Sequence, residues 1–186
     1  MPKELPLVSI VMNCHNGQKY LEDSIKSITA QTYQNWELIF WDNASTDNSK
    51  QVINKFSDAR IKYFKSDNFK KLYESRNLAI KKAKGKLISF LDTDDMWERD
   101  KIEKQIEFFE KNKDFKIVYS NYYNLDELKK KKSLKFKKNL PSGMIIKDLL
   151  KNYTVGILTV CLNRNIFNEY SFDNNLDIIG DFDLLI

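Results

Sequence analysis

The nine residues Leu87-Ile88-Ser89-Phe90-Leu91-Asp92-Thr93-Asp94-Asp95 form an apolar run that ends among three carboxylates. A short continuous run of apolar side chains is typical of a strand buried in a parallel sheet. Three acids so close together repel one another unless a cation lies among them, so the sequence predicts a divalent metal ion at this strand end. Mg²⁺ or Mn²⁺ held by few carboxylates fills its other positions with water and phosphate oxygens. The run therefore predicts a buried strand and a metal-dependent site for a phosphorylated ligand.

Strand patterns and helix patterns alternate on both sides of this run. The alternation predicts an α/β fold with an open, mostly parallel sheet flanked by helices. Predicted strands cover residues 8–12, 37–41, 61–65, 116–123 and 154–162. Predicted helices cover residues 47–56 and 71–84. The second of these is expected to end at Gly85 in a left-handed conformation. Three further helices are predicted from apolar residues at helical spacing, namely Leu21, Ile25 and Ile28, then Ile102, Ile106 and Phe109, and then Ile146, Leu149 and Leu150.

Length and composition predict one globular domain. The chain has 186 residues, of which 42% are hydrophobic, and its formal net charge is +5. Much of the excess charge lies in a basic run from Lys129 to Lys138, which we expect to be a surface loop. Cys14 and Cys161 are far apart and His15 is the only histidine, which argues against a disulfide framework and a zinc site. No apolar run is long enough for a signal peptide or a membrane span, so we expect a cytoplasmic location.

Polar residues follow three of the predicted strands, in the ranges 13–17, 42–47 and 92–95. The carboxyl ends of parallel strands meet at one edge of the sheet when the connecting helices cross over in the right-handed sense. Ligands of open α/β sheets bind in the crevice at that edge. We therefore expect the functional site of this chain where these three segments meet.

Several motifs, in this order and spacing, make the chain resemble the family 2 glycosyltransferases. They are Val8-Ser9-Ile10-Val11 with Asn16, Gln31-Thr32-Tyr33, Trp41-Asp42-Asn43-Ala44-Ser45-Thr46-Asp47, Arg76-Asn77, Ala83-Lys84-Gly85, and Phe90-Leu91-Asp92-Thr93-Asp94-Asp95 with Trp97. The resemblance implies the GT-A fold, a nucleotide-diphosphate sugar as donor and inversion at the anomeric carbon. It also implies a single GT-A domain over residues 1–186, with the nucleotide side up to about residue 96 and the acceptor side beyond it.

The nucleotide site follows from the resemblance position by position. Asp42 resembles the residue that hydrogen-bonds the base, usually uracil, and Cys14 and His15 are expected to line the same cleft. Arg76 resembles a residue on the nucleotide side, where a cation offsets diphosphate charge. Asp92 and the acid two residues later resemble the DxD motif, in which the first acid leans toward the ribose.

The metal site follows from the same motif. Asp92 and Asp94 are the expected ligands of Mn²⁺ or Mg²⁺ on the donor diphosphate. Asp95 is expected to assist them without binding the ion directly. An acid after a strand is also common at the N-terminus of a helix, which is the simpler interpretation of Asp95.

The catalytic base is expected near the end of the chain. Gly180-Asp181-Phe182-Asp183 resembles the family's Glu-Asp segment, whose Asp is the base, so Asp181 is the matching residue and Asp183 is an alternative. Gly180 stands where the family usually has Glu. The segment also predicts the first turn of a helix with no residue to end it, as in a fragment truncated near the catalytic base.

Other positions depart from the family pattern without removing a metal ligand. They are Asn13 for the usual Pro, His15 for Tyr, Asn43 and Ala44 for Asp-Gly, and Ala79 for Gly.

The predicted function is transfer of a sugar, from a UDP-sugar or similar donor, to a hydroxyl of a glycan or lipid-linked acceptor in polysaccharide or surface glycan biosynthesis. An alternative is a nucleotide-sugar-binding module that is catalytically silent, which Gly180 favours. A nucleotidyltransferase is a weaker alternative, because only Gly17 is found where such enzymes have a glycine-rich loop. The basic run predicts peripheral attraction to the anionic inner face of the membrane. The sequence shows no face on which basic and aromatic residues alternate, so nucleic-acid binding is not predicted.

Overall fold

The computed structural model describes residues 5–186, and its centre is a six-stranded sheet. The first four residues of the predicted domain lie outside the described residues. The strands are β1 (Val8–Cys14), β2 (Trp36–Asp42), β3 (Ile61–Lys65), β4 (Leu87–Phe90), β5 (Ile117–Val118), β6 (Tyr123–Asp126), β7 (Lys131–Leu134) and β8 (Cys161–Asn163). The helices are α1 (Leu21–Thr29), α2 (Ser49–Ile53), α3 (Leu72–Ile80), α4 (Lys101–Lys111), α5 (Ile146–Lys151) and α6 (Gly180–Leu185).

The strand order is β3-β2-β1-β4-β8-β5, and the predicted mostly parallel α/β sheet is confirmed. β1 to β4 pair in parallel, whereas β8 runs antiparallel to both of its neighbours. β1 lies between β2 and β4, so the chain reverses its direction of strand addition beside β1. Such a switch point is where open α/β sheets bind ligands.

Both faces of the sheet are covered, which explains why β1 and β2 are buried along almost their whole length. On one face, Leu21, Ile25 and Ile28 of α1 are fully buried against alternate residues of β1. Burial of each such side chain contributes about 1.5–3 kcal/mol to folding. On the other face, α3 packs through Tyr73 together with Phe172 from the C-terminal part.

Gly85 has a different role from the predicted one. α3 ends at Ile80, and the glycine with a left-handed φ among the described residues is Gly143, so Gly85 does not end the helix. A Cβ atom at Gly85 would lie 2.5 Å from the backbone nitrogen of Ser9, and the Gly85 N–H donates to Ser9 Oγ at 2.7 Å. Close approach to β1 therefore explains the glycine.

The C-terminal third differs most from the sequence prediction. The strand predicted over residues 116–123 is only β5, because the chain leaves the sheet at Tyr119. The predicted basic loop contains β7, which pairs with β6 in an exposed two-stranded hairpin. The strand predicted over residues 154–162 is a 3-10 turn, Ile157–Thr159, followed by β8. Short apolar runs cannot distinguish a strand from another buried segment, which accounts for the error.

None of the helices within residues 5–186 has the length and apolar character needed to cross a bilayer.

Candidate functional site

The loops that follow β1, β2 and β4 meet at one edge of the sheet, as predicted. Cys14 at the end of β1 is in register with Asp42 at the end of β2. Ser24 Oγ donates to the carbonyl oxygens of Thr93 and Asp95, at 2.7 and 2.6 Å, and so fixes the acidic loop against α1. The three polar segments of the sequence therefore form one crevice.

A cavity of about 130 Å³ lies between the loops after β1 and β2 and the start of α3. Its lining residues are Asn13, Cys14, His15, Asn43, Phe69, Lys70, Leu72 and Ser75. The rings of His15 and Phe69 meet edge to face with centroids 4.6 Å apart. Cys14 and His15 thus lie where the sequence predicted cleft lining, and the thiol of Cys14 is buried, which raises its pKa. A thiol with a raised pKa is a poor nucleophile at neutral pH.

Asn43 holds the wall of this cavity together. Its Nδ2 donates to the Lys70 carbonyl oxygen at 2.8 Å, and the Lys70 N–H donates to Asn43 Oδ1 at 3.0 Å. His15 Nδ1 donates to the Asn43 carbonyl oxygen at 2.9 Å. The segment before α3 is therefore fixed to the end of β2 by a side chain that sequence reasoning named only as a departure from the family pattern.

Asp42 is buried and is not among the residues that line this cavity, and its contact with a base stays a prediction. Its Oδ2 accepts a hydrogen bond of 2.6 Å from the Tyr63 hydroxyl, and its Oδ1 accepts one of 2.8 Å from the Ser45 N–H. Burial and the hydrogen bond to Asp42 raise the pKa of Tyr63, so the phenol remains the donor. Asn43, the residue directly after β2, is among the residues that line the cavity.

Arg76 on α3 joins the two ends of the predicted site. Its guanidinium is almost fully buried, with 2% of the side chain exposed. Nη2 donates to both carboxylate oxygens of Asp92, at 2.9 and 3.1 Å, and Nη1 donates to Asp181 Oδ1 at 2.5 Å. Burial opposes the charge of Arg76, but the two carboxylates raise its pKa, so it stays a cation. The sequence did not predict this pairing, because Asp181 lies 105 positions from Arg76.

Asp181, and not Asp183, is the acid that α6 brings to this cluster. Burial raises the pKa of Asp181, the Arg76 cation lowers it and the Asp92 carboxylate raises it, with a net upward shift. Asp183 is exposed and has no side-chain partner among the described residues. A carboxylate of raised pKa is a stronger base than an ordinary one, which suits it to accept a proton.

The two predicted metal ligands differ in their surroundings. The carboxylate of Asp92 faces Arg76, whereas Asp94 is exposed and its carboxylate bonds to none of the described residues. Within residues 5–186 no three acids, histidines or cysteines come close enough to form a metal centre by themselves. Mg²⁺ and Mn²⁺ commonly use one or two carboxylates together with substrate phosphates. Asp94 with Asp92 therefore fits a cation that arrives with a diphosphate.

Asp95 is half-buried beside these acids. Burial, followed by the charges of Asp92 and Asp94, raises the pKa of Asp95 to about 6. It does not cap a helix, because α4 begins only at Lys101. Like-charge repulsion in this loop is the feature that the sequence predicted.

A second cavity of about 820 Å³ borders the acidic loop on its other side. Its wall combines acids, amides and aromatic rings from the acidic loop, α1, α4 and the β6–β7 hairpin. Among its lining residues are Asp23, Asp94, Asp95, Trp97, Asn121, Tyr122, Tyr123 and Glu127. Its volume is in the range of sites that hold small organic molecules.

Comparison with known proteins identifies the family. The sequence model described as "Glycosyl transferase family 2" matches residues 9–170. The Escherichia coli protein described as UDP-Glc:alpha-D-GlcNAc-diphosphoundecaprenol beta-1,3-glucosyltransferase WfgD is 40% identical over 166 residues, which are 89% of this chain and 64% of that protein. The Bacillus subtilis putative teichuronic acid biosynthesis glycosyltransferase TuaG is 31% identical over 172 residues, 91% of this chain and 67% of the relative. The chain thus spans about two thirds of the length of these relatives.

Solved structures share the fold. S. aureus TarS residues 1–349 in complex with UDP superpose with a TM-score of 0.75 at 19% identity, covering 94% of this chain and 52% of TarS. The Pyrobaculum calidifontis mannosyltransferase PcManGT, in complex with GDP-Man and Mn²⁺, superposes with a TM-score of 0.73 at 14% identity, covering 98% of this chain and 53% of the other. These likenesses confirm the predicted GT-A fold.

Proposed function

Because the chain belongs to glycosyl transferase family 2, we propose that it transfers a sugar from a UDP-sugar to a hydroxyl group with inversion at the anomeric carbon. The observation that carries the proposal is the bridge from Asp92 through Arg76 to Asp181, which lies at the edge where strand ends meet. It joins an acid of the donor motif to an acid suited to be the base. The WfgD relative, described as using UDP-Glc, supports the choice of donor.

We infer that the base of the donor enters the cavity beside His15 and Phe69. Aromatic rings offer an apolar surface for a planar base. The amide of Asn13 and the hydroxyl of Ser75 are buried at this cavity without hydrogen-bond partners among the described residues. Buried polar atoms are normally paired, so the polar edge of a base or a water molecule would satisfy them. Asn43, held on Lys70, shapes the wall of this cavity.

The diphosphate is proposed to lie over the acidic loop, with Mn²⁺ or Mg²⁺ held by Asp94 and Asp92. When bound, the cation would neutralise negative charge on the departing diphosphate. Asp92 also lies on the ribose side of the loop in this assignment. Arg76 keeps the Asp92 carboxylate in a fixed orientation through two hydrogen bonds.

Asp181 is proposed to act as the general base. It accepts the proton of the acceptor hydroxyl while that oxygen bonds to the anomeric carbon and the bond from that carbon to the diphosphate oxygen breaks. Attack from the face opposite the leaving group inverts the configuration. A positioned base of this kind typically contributes a rate factor of about 10²–10⁴.

The acceptor is proposed to approach from the side of residues 97–186. The larger cavity beside Asp94 supports this direction, because its acids, amides and aromatic rings suit a polyhydroxylated ligand. The WfgD relative is described as acting on a diphosphoundecaprenol-linked sugar, which supports a lipid-linked acceptor. We infer that the basic β6–β7 hairpin attracts the chain to the cytoplasmic face of an anionic membrane.

A catalytically silent nucleotide-sugar-binding module is the second candidate. Gly180 in place of the family's usual Glu favours it. The two candidates differ in one measurement: a silent module binds the donor but releases no product with any acceptor.

Calorimetry with UDP, with and without Mn²⁺, tests the proposal. We expect UDP to bind more tightly with Mn²⁺, and we expect Asp94→Asn to remove most of that gain because the exposed ligand is lost. Asp114→Asn, at an exposed acid before β5, is the matched control and should bind as the unmodified chain does. If UDP fails to bind under either condition, the proposal is wrong, and if Asp94→Asn binds normally, the metal assignment is wrong.

A further inference from the structure

The space in front of position 180 is filled by the ring of Tyr73. A Cβ atom at Gly180 would lie 2.5 Å from Tyr73 Cε2 and 2.6 Å from Cζ, which is too close for any side chain. The ring cannot easily move aside, because it is buried and stacked on Phe172 with centroids 5.5 Å apart. Position 180 therefore admits only glycine while Tyr73 keeps this conformation.

The Tyr73 hydroxyl also binds the start of α6. The Gly180 N–H donates to the Tyr73 oxygen at 2.8 Å. The first N–H groups of a helix have no partner within the helix, and a side chain before the helix commonly supplies one. Ile179, which precedes α6 with a left-handed φ of 61°, has no polar side-chain atom that could accept this hydrogen bond. The Tyr73 hydroxyl, on α3, therefore supplies the acceptor for the first N–H group of α6.

We propose that Tyr73 is a positioning residue for Asp181, and that the pair Tyr73–Gly180 takes the place of the family's usual Glu before the base. The proposal rests on the proposed function, since it needs Asp181 to be the base. Tyr73 and Arg76 are three positions apart on α3 and so lie on the same side of that helix. Tyr73 holds the backbone just before Asp181, and Arg76 holds its carboxylate.

The exchange of Glu for Gly180 is then a compensated change and not the loss of a catalytic group. A phenol keeps its proton at neutral pH, and burial, followed by the Asp181 charge, raises the pKa of Tyr73 further. The oxygen of Tyr73 can accept the Gly180 N–H with or without that proton, and keeping the proton adds no second negative charge beside Asp181.

Tyr73→Phe tests the proposal, because it removes one oxygen and keeps the ring. We expect the Asp181 carboxyl, followed by NMR, to move from its raised pKa toward the ordinary value as the freed residue enters water. We expect the release of UDP from UDP-glucose to slow at least tenfold, with UDP affinity changed less than twofold. Tyr33→Phe is the matched control, because this buried tyrosine also loses one hydroxyl hydrogen bond, to the Pro6 carbonyl oxygen, but belongs to the core cluster on the other face of the sheet.

A rescue variant separates positioning from mere stability. Gly180→Glu alone should shift the pKa of Asp181 and slow UDP release. Gly180→Glu combined with Tyr73→Ala should bring both closer to their normal values than either single variant does, because the cavity left by the ring receives the Glu side chain. An Asp181 pKa and a UDP release that are both unchanged in Tyr73→Phe would overturn the inference. Failure of the unmodified chain to bind UDP would instead overturn the proposed function, and the NMR titration would still decide whether Tyr73 holds Asp181.

Discussion

At the scale of single residues, one buried cation, Arg76, is paired with two carboxylates, Asp92 and Asp181. A buried cation that loses a partner carries a large desolvation cost, so the Asp92–Arg76–Asp181 cluster is expected to act as a unit. Its members come from α3, the loop after β4 and α6. Removing either acid without keeping a hydrogen-bond acceptor for Arg76 is therefore expected to destabilise the cluster.

Replacing Asp181 with Asn should separate binding from transfer. The amide keeps a hydrogen bond to Arg76 but cannot accept a proton, so we expect UDP affinity within about threefold of normal and a transfer rate lower by about 10²–10⁴. Calorimetry and a UDP-release assay with acceptor measure the two effects. In the unmodified chain, the rate should fall with decreasing pH as Asp181 is protonated, and because its pKa is raised, that fall begins at a higher pH than for an ordinary carboxylate. Full transfer by Asp181→Asn would exclude Asp181 as the base.

At this scale the sequence predicted residue identities better than contacts. His15 and Cys14, which the sequence predicted as cleft lining, lie at the cavity, whereas the pairing of Arg76 with Asp92 was not predicted. The hydrogen bonds between Asn43 and Lys70 could not be predicted, because they join the end of β2 to a segment 27 positions further along the chain. The pairing of Arg76 with Asp181 depended on the packing of α6, which no local pattern encodes.

Among the elements, β1 and β4 are held close by Gly85, which precedes β4. Gly85→Ala would place a methyl group against the backbone of Ser9, and backbone cannot move aside as a flexible side chain can. We expect a loss of about 2–3 kcal/mol in unfolding free energy. Gly156→Ala is the control, since its Cβ would meet only the ends of the Leu158 and Tyr122 side chains. Urea denaturation of both variants measures the difference, and equal stability of the two would contradict the account.

α4 begins with a lysine whose ammonium group is buried. Lys101 Nζ lies 3.7 Å from the centroid of the Trp97 ring and has no hydrogen-bond partner among the described residues. Burial lowers the pKa of Lys101 to about 7. The unfolded chain therefore binds this proton more tightly than the folded chain does. The resulting destabilisation of the folded state grows as the pH falls from about 10 to about 7 and is constant below that.

Replacing Lys101 with Met should remove this cost and keep most of the side-chain volume. We expect the variant to be more stable than the unmodified chain by about 2–4 kcal/mol at pH 6, with the difference shrinking as the pH rises toward 10. Lys104→Met on the same helix is the control, because Lys104 is exposed and paired with Asp100. Thermal unfolding across this pH range measures the trend. A difference that is constant with pH would show that Lys101 keeps its ordinary pKa.

The elements were predicted well where their patterns were long. The order from β1 to β5 and the inward faces of α1 and α4 follow from the apolar spacing. Beyond β5 the strands are short, and the basic hairpin has no buried side to give it a pattern. The sheet edge at β8 is antiparallel, which a continued βα alternation could not predict.

Over the whole molecule, positive charge gathers on the β6–β7 hairpin. Its turn exposes Leu128 almost completely, at 98%, beside the basic run. We expect the chain to bind vesicles that contain phosphatidylglycerol, to ignore pure phosphatidylcholine, and to be released by salt.

Sedimentation with such vesicles tests this prediction with two sets of four substitutions to Ser. Changing the hairpin lysines should weaken binding at least tenfold, since each contributes about 1 kcal/mol near the surface. Changing four exposed lysines elsewhere is the charge-matched control. The hairpin set is Lys129, Lys130, Lys131 and Lys132, and the control set is Lys62, Lys81, Lys82 and Lys113. Equal loss of binding in the two sets would assign the effect to net charge and not to the hairpin.

A crystal structure of the chain soaked with UDP and Mn²⁺ tests the central claim most directly, because it locates base, diphosphate and metal ion together. We predict the nucleotide base in the cavity beside His15 and Phe69, the ion against Asp94 and Asp92, and the Arg76–Asp181 contact preserved within hydrogen-bond distance. An ion bound away from these two acids, or a nucleotide outside the crevice at the strand ends, would contradict the account.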